Sequence, residues 1–350
     1  MKGKVTIRDV ADMAQVSNQT VSRVINNRPD VAEETRQRVW QVIEELNYRP
    51  NALARSLIQQ RSLTLGVITA GLQFLGPSQT LNGIATQAEE MGYSLLLKEL
   101  PHFRSNNTKP LLNTLLARQV EGIIWAVPEI GGNRDQIKDQ LLDVSIPIIY
   151  LTMQELPGVS AVAVDNYLGG RKATEHLLEQ GYRRIAHISG PLDWWEACQR
   201  QAGWLDALRE AGLPIAEHQS VSGNWSVASG AQALAYLAEN YTGMDAVFVA
   251  NDQMALGAMH VAHQKGYQIP EDLGVVGFDG MPEAAYFVPP LTTISQDLRE
   301  LGSTAVRQLS QAIGSAQMER DWAVFEPSYV SLRPELNIRE SSAPTNTHQN

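Results

Sequence analysis

The chain has 350 residues, 43% of them hydrophobic, and a formal net charge of −10. That length makes more than one domain the expectation, and that hydrophobic share allows a large buried core. A single cysteine, Cys198, excludes an intrachain disulfide and fits a reducing compartment. The opening MKGKVTIRDV lacks the apolar stretch of a signal peptide, and no run approaches the roughly 18 apolar residues that span a bilayer, so a cytoplasmic protein without membrane contact is expected.

The charge is unevenly placed. Residues 1–61 carry ten basic and seven acidic side chains, or +3, which leaves 18 basic and 31 acidic residues, or −13, for the remainder. A basic head on an acidic body suits a nucleic-acid-binding module joined to a domain with another task.

Thr6 to Ala11 opens a short amphipathic helix. Thr6 is a candidate N-cap and Asp9 sits three residues on, a capping-box pattern, while Val10, Ala11 and Ala14 supply the buried stripe. After a tight break at Gln15–Val16, Ser17 caps a second helix running to Asn26. Val21, Val24 and Ile25 recur at helical spacing and face inward, which leaves Asn18, Gln19, Ser22 and Arg23 on the open face. Two such helices form a helix-turn-helix, in which the start of the second helix meets bases in the major groove. Asn or Gln can bond adenine in bidentate fashion, and Arg can do so with guanine. As pattern alone, the same face also suits the solvated side of a small three-helix domain. A third helix is predicted over 32–46, with Val39, Val42, Ile43 and Leu46 inward. Asn47–Pro50 breaks it, and the segment 51–57 is too short to hold a helix alone but could fold on a partner.

From residue 63 onward short apolar strands alternate with helices. Strands are predicted over 63–69, 93–98, 122–127, 146–151, 161–164, 184–189, 218–222, 246–250, 273–278 and 292–295. Helices are predicted over 78–91, 108–118, 167–180, 196–211, 227–239, 252–265 and 298–313. This alternation argues α/β architecture with parallel sheets, in a number that suits two sheets rather than one. Ligands bind beyond the carboxyl ends of such strands, so a cleft between two facing sheets is the expected site.

The runs TIRDVADMAQVSNQTVSRVIN, ETRQRV and LNYRPNALARSL resemble the LacI family of bacterial transcription regulators. So do VDNYLGG at 164–170, ISGP at 188–191, RQAGW at 200–204, VANDQMALGAM at 249–259, VGFD at 276–279 and PPLTTI at 289–294. The likeness runs from about residue 4 to 338. It implies an all-α headpiece over 1–50, a hinge helix and linker over 51–61, and a core over 62–340 built like a periplasmic sugar-binding protein. The chain is expected to cross between the two core subdomains near 161–165 and 290–296. The polar, proline-containing end, 341–350, has no apolar period, so a disordered tail is expected, and a dimer rather than a tetramer.

The resemblance extends the DNA-contacting set to Thr6, Ser17, Thr20, Asn26, Tyr48, Asn51, Ala54 and Leu57, beside Asn18, Gln19, Ser22 and Arg23. Leu57 matches the leucine that wedges into the minor groove, a device that kinks the duplex. Ala32 stands where relatives often have a polar cap, so the third helix starts less firmly.

For the core the resemblance implies a small-molecule effector, a sugar, held by Arg200, Asn251, Asp279 and Gln296, with Trp225 against its apolar face. Phe74 and Pro77 fall on the apolar side of the pocket. Each position has a plainer reading too. Asp279 could cap a loop, Asn251 and especially Asp252 could cap the next helix, Trp225 could be core, and Arg200 could bridge to Asp279. The cleft departs from the family pattern at Thr152, Ala126 and Leu298, and at Trp194, which Trp195 and Glu196 follow. Trp194 offers stacking area for an aglycone or second ring, or simply fills the rim.

Three classes of function compete. The first is a repressor of sugar-utilisation genes, holding double-stranded operator DNA as a homodimer until a mono- or disaccharide, such as a galactoside or glucoside, releases it. A co-repressor responding to a purine is its variant. The second is a sugar-transport protein, which the helix-turn-helix opposes. The third is an enzyme, for which there is no metal-spaced His or Cys cluster, no P-loop and no nucleophile elbow; His176, His187, His260 and His263 are scattered. Neither a cofactor nor a metal is called for.

Overall fold

A computed structural model describes residues 5–25, 28–48, 61–104, 108–131, 133, 144–319 and 326–343. The chain divides into two compact units, residues 1–63 and 64–350. Asn26, Asn51, Ala54 and Leu57 of the expected DNA-contacting set, most of the expected hinge, and 344–350 lie outside the described residues.

The first unit holds three helices, α1 (Ile7–Ala14), α2 (Asn18–Ile25) and α3 (Glu33–Glu45). Thr6 and Asp9 form the reciprocal capping box, with the Asp9 backbone N–H donating to Thr6 Oγ1 at 3.4 Å and the Thr6 N–H to Asp9 Oδ2 at 2.7 Å. These donated hydrogen bonds hold the Asp9 carboxyl below its ordinary range. Gln15 closes α1 in the left-handed region at φ +53°, which makes the tight break. Val10, Ala11, Ala14, Val21, Val24, Val39, Val42 and Ile43 form the core. Ala32 caps α3 without a side-chain hydrogen bond.

The second unit consists of two lobes, each a six-stranded sheet flanked by helices. In chain order its elements are β1 (Thr64–Ala70), α4 (Leu75–Glu90), β2 (Ser94–Leu100), α5 (Lys109–Ala117), β3 (Gly122–Ala126), β4 (Ile148–Leu151) and β5 (Ser160–Val164). Then come α6 (Asn166–Glu179), β6 (Ile185–Ser189), α7 (Trp195–Glu210), β7 (Ser220–Ser222), α8 (Val227–Asn240), β8 (Ala246–Val249), α9 (Asp252–Gln264) and β9 (Gly274–Asp279). A 3₁₀ turn (Pro282–Tyr286), β10 (Thr292–Ser295), α10 (Leu298–Glu319), β11 (Tyr329–Leu332) and β12 (Glu335–Asn337) complete it.

Lobe 1 has the strand order β11-β5-β4-β3-β1-β2, all parallel. Lobe 2 has the order β12-β10-β9-β8-β6-β7, parallel except for antiparallel β12. The inner strands are covered on both faces, and β5 and β6 are buried at every position, whereas edge strand β2 carries exposed and polar residues.

The helices pair through glycines. A Cβ on Gly170 of α6 would lie 2.2 Å from the Arg200 carbonyl oxygen of α7, and one on Gly203 of α7 would lie 2.2 Å from the Tyr167 carbonyl oxygen of α6. Gly230 and Gly257 do the same between α8 and α9, at 2.0 and 1.9 Å, as do Gly83 and Gly302 between α4 and α10, at 2.0 and 2.2 Å. Bare backbone at these crossings lets paired helices touch main chain to main chain.

Two expectations need correction. The chain passes between lobes after β5 and after β10, but also a third time at residues 333–334, joining β11 to β12. The tail is ordered further than its composition implies. Ser341 and Ser342 are fully buried. Ser341 Oγ donates to the Val275 carbonyl at 2.7 Å, and Ser342 Oγ lies 2.8 Å from His176 Nε2. Their hydroxyls satisfy buried polar groups that would otherwise be orphaned. No helix among the described residues is long and apolar enough to cross a membrane.

Candidate functional site

In both lobes the strand order reverses beside the second-to-edge strand, between β1 and β3 and between β6 and β8. Such switch points open a crevice at the carboxyl ends of the strands. The two crevices face each other across a cleft. Phe74, Pro77, Trp194, Glu196, Arg200, Trp225, Asn251, Asp279 and Gln296 all line it, as do Ala126, Thr152 and Leu298.

Arg200 is the centre of the polar side and is only 3% exposed. Its Nε donates to Asn166 Oδ1 at 2.8 Å and its Nη1 to the Ala250 carbonyl at 2.5 Å. The guanidinium lies 3.8 Å from the Phe278 ring centroid, a cation–π contact that fixes its plane. Asp279 Oδ1 is 3.5 Å from Nη1 and accepts from Gln296 Nε2 at 2.6 Å. Asp279 adopts φ +108°, a strained conformation for a residue with a side chain. Burial pushes its carboxyl up, against the pull of Arg200 and the Gln296 hydrogen bond. Gln296 Oε1 is buried without a partner among the described residues. Glu196 stands on the same wall, and burial pushes its carboxyl up to about 7.

Asn251 has a double role. Its Oδ1 accepts from the Met254 N–H at 2.9 Å, capping α9, while its Nδ2 donates to the Trp225 carbonyl at 3.1 Å and to Gln253 Oε1 at 2.8 Å. Asp252 is therefore not the cap it was expected to be. It is fully buried, accepting from Thr293 Oγ1 at 2.6 Å and the Met281 N–H at 2.8 Å. Burial, with Asp279 nearby, raises its carboxyl to about 7.

The apolar side is a run of rings. Phe74 and Phe103 are 5.8 Å apart, Phe103 and Trp194 4.8 Å, and Trp194 and Trp225 5.7 Å between centroids. Phe74 and Phe103 belong to lobe 1, Trp194 and Trp225 to lobe 2. The lobes are tied beside this run: Gly131 N–H donates to the Asp193 carbonyl at 2.8 Å, Trp195 N–H to the Glu129 carbonyl at 3.1 Å, and Arg104 ion-pairs with Asp193. Trp225 is more than core filler. It lines the cleft at φ +70°, laid flat over Gly190, where a Cβ would meet its ring at 2.1 Å.

In the first unit, Ser17 Oγ accepts from the Thr20 N–H at 3.0 Å, which caps α2. Asn18, Gln19 and Arg23 are exposed on one face, with Thr20 and Ser22 half-buried. Arg23 reaches Asp30 at 3.5 Å, an exposed pair too weak to withhold it from a base. Tyr48 packs against the headpiece core, and burial raises its phenol; Thr6 is occupied by its capping box.

The family description for bacterial regulatory proteins of the lacI family matches residues 6–51, and that for a periplasmic binding protein-like domain matches 174–342. The lactose operon repressor of Escherichia coli K12 is 37% identical over 308 residues, 88% of this chain and 84% of the relative.

This chain belongs to the LacI family.

The HTH-type transcriptional repressor PurR of Mannheimia succiniciproducens is 32% identical over 338 residues, 96% of this chain and 98% of the relative. The solved lac repressor dimer bound to operator and the anti-inducer ONPF superposes with a TM-score of 0.83 at 33% identity, covering 97% of this chain and all of that one. This LacI-family protein is a DNA-binding transcriptional repressor with a ligand-binding domain.

In this LacI-family cleft the sequence reading missed several residues, of which three bear on the site's chemistry. Phe103 and Gln253 line it, and Asn166 orients Arg200. Phe103 follows the carboxyl end of β2 and Gln253 neighbours Asn251, so the strand-end rule could have found both. Among the described residues no group of His, Cys, Asp and Glu side chains is placed to hold a metal. His187 is buried between Trp204 and Phe248, and burial holds its imidazole down to about 4, a neutral packing group.

Glu196 gives the LacI-family core a pH signature. A carboxyl raised from 4.5 to about 7 in the folded state contributes stability that is full below 4.5 and is lost as pH rises through about 7. Glu196→Gln is expected to remove part of the fall in core melting temperature across that window, Asp252 and Asp279 contributing further parts. Calorimetry of both proteins on each side of neutrality checks this; identical curves would show that Glu196 titrates normally.

Proposed function

We propose that this LacI-family protein represses sugar-utilisation genes, holding a palindromic operator as a homodimer and releasing it when a sugar enters the cleft. The observation that carries this reading is the pairing of the buried Arg200 and Gln296 and the mostly buried Asp279 with aromatic rings supplied by both lobes. A pyranose has a rim of hydroxyls that both donate and accept, and an apolar C–H face. A guanidinium fork, a carboxylate and an amide answer the rim, and indole answers the face.

A purine reading is less well served. A flat base is best held between parallel rings, whereas Phe103–Trp194 and Trp194–Trp225 meet edge to face, at 66° and 73°. For induction, the sugar must bind the DNA-incompetent state more tightly than the competent one. A dimer supplies the two heads that two symmetric half-sites require, and a cytoplasmic location accompanies the role.

A thermal-shift screen of monosaccharides, disaccharides and purines tests the reading. Ligand at about 100 times its Kd adds about 2.7 kcal/mol, and the core transition is the one to follow. A sugar that stabilises the core and then weakens operator binding supports the proposal. A purine that strengthens operator binding replaces it with co-repression.

The DNA half has its own test. Gln19→Ala or Arg23→Ala is expected to cost about 1–3 kcal/mol of specific binding and to relax base preference at one operator position. Selection of preferred sequences from a random duplex pool, with parent and variant, reads both. Unchanged preference removes these side chains from the reading face.

A further inference from the structure

Behind the aromatic run lies a second chamber, half open to solvent. Phe74, Phe103, Trp194 and Trp225 line both it and the main cleft. The rings are therefore a partition shared by two cavities, with a face available on each side. The outer chamber is not simply greasy. Gln73, Glu99, His102 and Asn224 line it as well.

These polar groups are differently held. Glu99 Oε1 accepts from the Leu72 N–H at 3.2 Å, which anchors its carboxylate at the chamber wall. Asn224 Oδ1 accepts from the Ser226 N–H at 3.2 Å and from its hydroxyl at 2.6 Å, so the amide NH₂ is the part of Asn224 outside that turn. Gln73 and His102 are exposed. An alkyl or aryl substituent would gain nothing from a carboxylate, two amides and an imidazole. A ring bearing hydroxyls would gain from all four, while its C–H face meets Phe103 or Trp194.

The partition also has a seam. Phe103 and Trp194 come from different lobes and meet edge to face at 4.8 Å, and the neighbouring Arg104–Asp193 ion pair holds this seam closed. Parting these two rings, at the cost of that solvent-exposed pair, would join the chambers without breaking a covalently continuous wall.

We propose that the effector is a glycoside of at least two sugar units that straddles the partition. One ring lies in the main cleft against Arg200 and Asp279, the next in the outer chamber against His102 and Asn224, and the glycosidic link passes the Phe103–Trp194 seam. This rests on the sugar reading of the main cleft and extends it to ligand size. Both lobes then touch both rings, so the length of the ligand, and not only its first ring, sets how firmly the lobes are held together.

Titration calorimetry of the full-length protein tests this, with methyl glucoside, methyl galactoside, cellobiose, maltose, lactose and melibiose as probes. One disaccharide is expected to bind about tenfold or more tightly than the methyl glycoside of its cleft-bound sugar, as one or two further hydrogen bonds supply. A Gln73→Ala/His102→Ala double variant, confined to exposed positions, is expected to lose about that factor for the disaccharide and to leave the methyl glycoside unchanged. If a methyl glycoside binds and no disaccharide binds more tightly, the two-ring proposal falls while the sugar reading stands. If the double variant weakens both ligands equally, the second ring is not in the outer chamber. If no sugar binds, both readings fall together.

Discussion

Arg200→Ala is expected to yield a repressor that holds its operator but no longer lets go when effector is added. Among the described residues that line the cleft the side chain is the one cation, and four groups are arranged around it: Asn166, the Ala250 carbonyl, Asp279 and the Phe278 ring. Truncation removes the fork and leaves buried acceptors bare, each at about 1–3 kcal/mol. The Asp279 carboxyl, already raised by burial, takes up a proton once its cation is gone. Core stability therefore falls by roughly 3 kcal/mol, a marginal but survivable loss for a chain of this size. The three-helix headpiece has a core of its own and does not share the damage. Arg200→Lys keeps the charge but not the planar fork, so it is expected to respond weakly at best. Operator binding with and without an effector, beside a melting curve for each variant, separates the two consequences. An Arg200→Ala protein that releases DNA at the parent's effector concentration would take Arg200 out of the site.

Gly170→Ala and Gly314→Ala are the same chemical change in two helices and are expected to have opposite signs. At Gly314 of α10 a new Cβ meets nothing within 4 Å, so only the helix-propensity gain remains, about 0.5–1 kcal/mol. At Gly170 it would meet the Arg200 carbonyl oxygen at 2.2 Å, the carbonyl carbon at 2.9 Å and Cα at 3.0 Å. All three are main-chain atoms of α7, which cannot rotate away as a side chain would. The helices must separate, and overpacking of this kind costs about 1–3 kcal/mol, here at the upper end or beyond. The core transition is expected to drop by several degrees for Gly170→Ala and to rise slightly for Gly314→Ala. Gly170→Ala also pushes on the backbone that carries Arg200, so effector affinity should weaken with stability, a link that Gly314→Ala lacks. Equal melting temperatures would mean that α6 and α7 lie farther apart than described.

The parts of this architecture that were legible from residues are those with a local cause. The capping box at Thr6–Asp9, the Ser17 cap and the inward Val21 and Val24 declare a helix-turn-helix because each rule acts within a few residues. The strand–helix alternation declares parallel sheets for the same reason. What was missed is long-range. β11 and β12 are four and three residues long, with no helix between them to announce a crossover, so the third passage between lobes leaves no periodic trace. Ser341 and Ser342 look like tail because their composition is polar; their partners, His176, Thr292 and Val275, lie far away in sequence. Asp252 was misread because two adjacent residues could each cap α9, and only the fold shows that Asn251 does so while Asp252 bonds Thr293. For the cleft, the family resemblance named the residues that now stand together, including three of the four rings; Phe103, which links Phe74 to Trp194, was not among them.

The third passage between lobes has a consequence for synthesis. Lobe 1 begins to emerge from the ribosome before lobe 2, yet it is completed only after all of lobe 2 except β12 has been made. Leu65, Val67, Ile84 and Ile124 are covered by Leu301, Val306 and Leu309 of α10, and β5 gains its outer neighbour only with β11. Everything in lobe 2 from α6 to β10 is made in the interval. For that whole period lobe 1 carries a bare apolar face and an unpaired strand edge, the two features that most invite association with other chains. Lobe 1 is thus the part of the core most open to misassociation during synthesis, and a chain broken off after β10 would leave the hazard permanent.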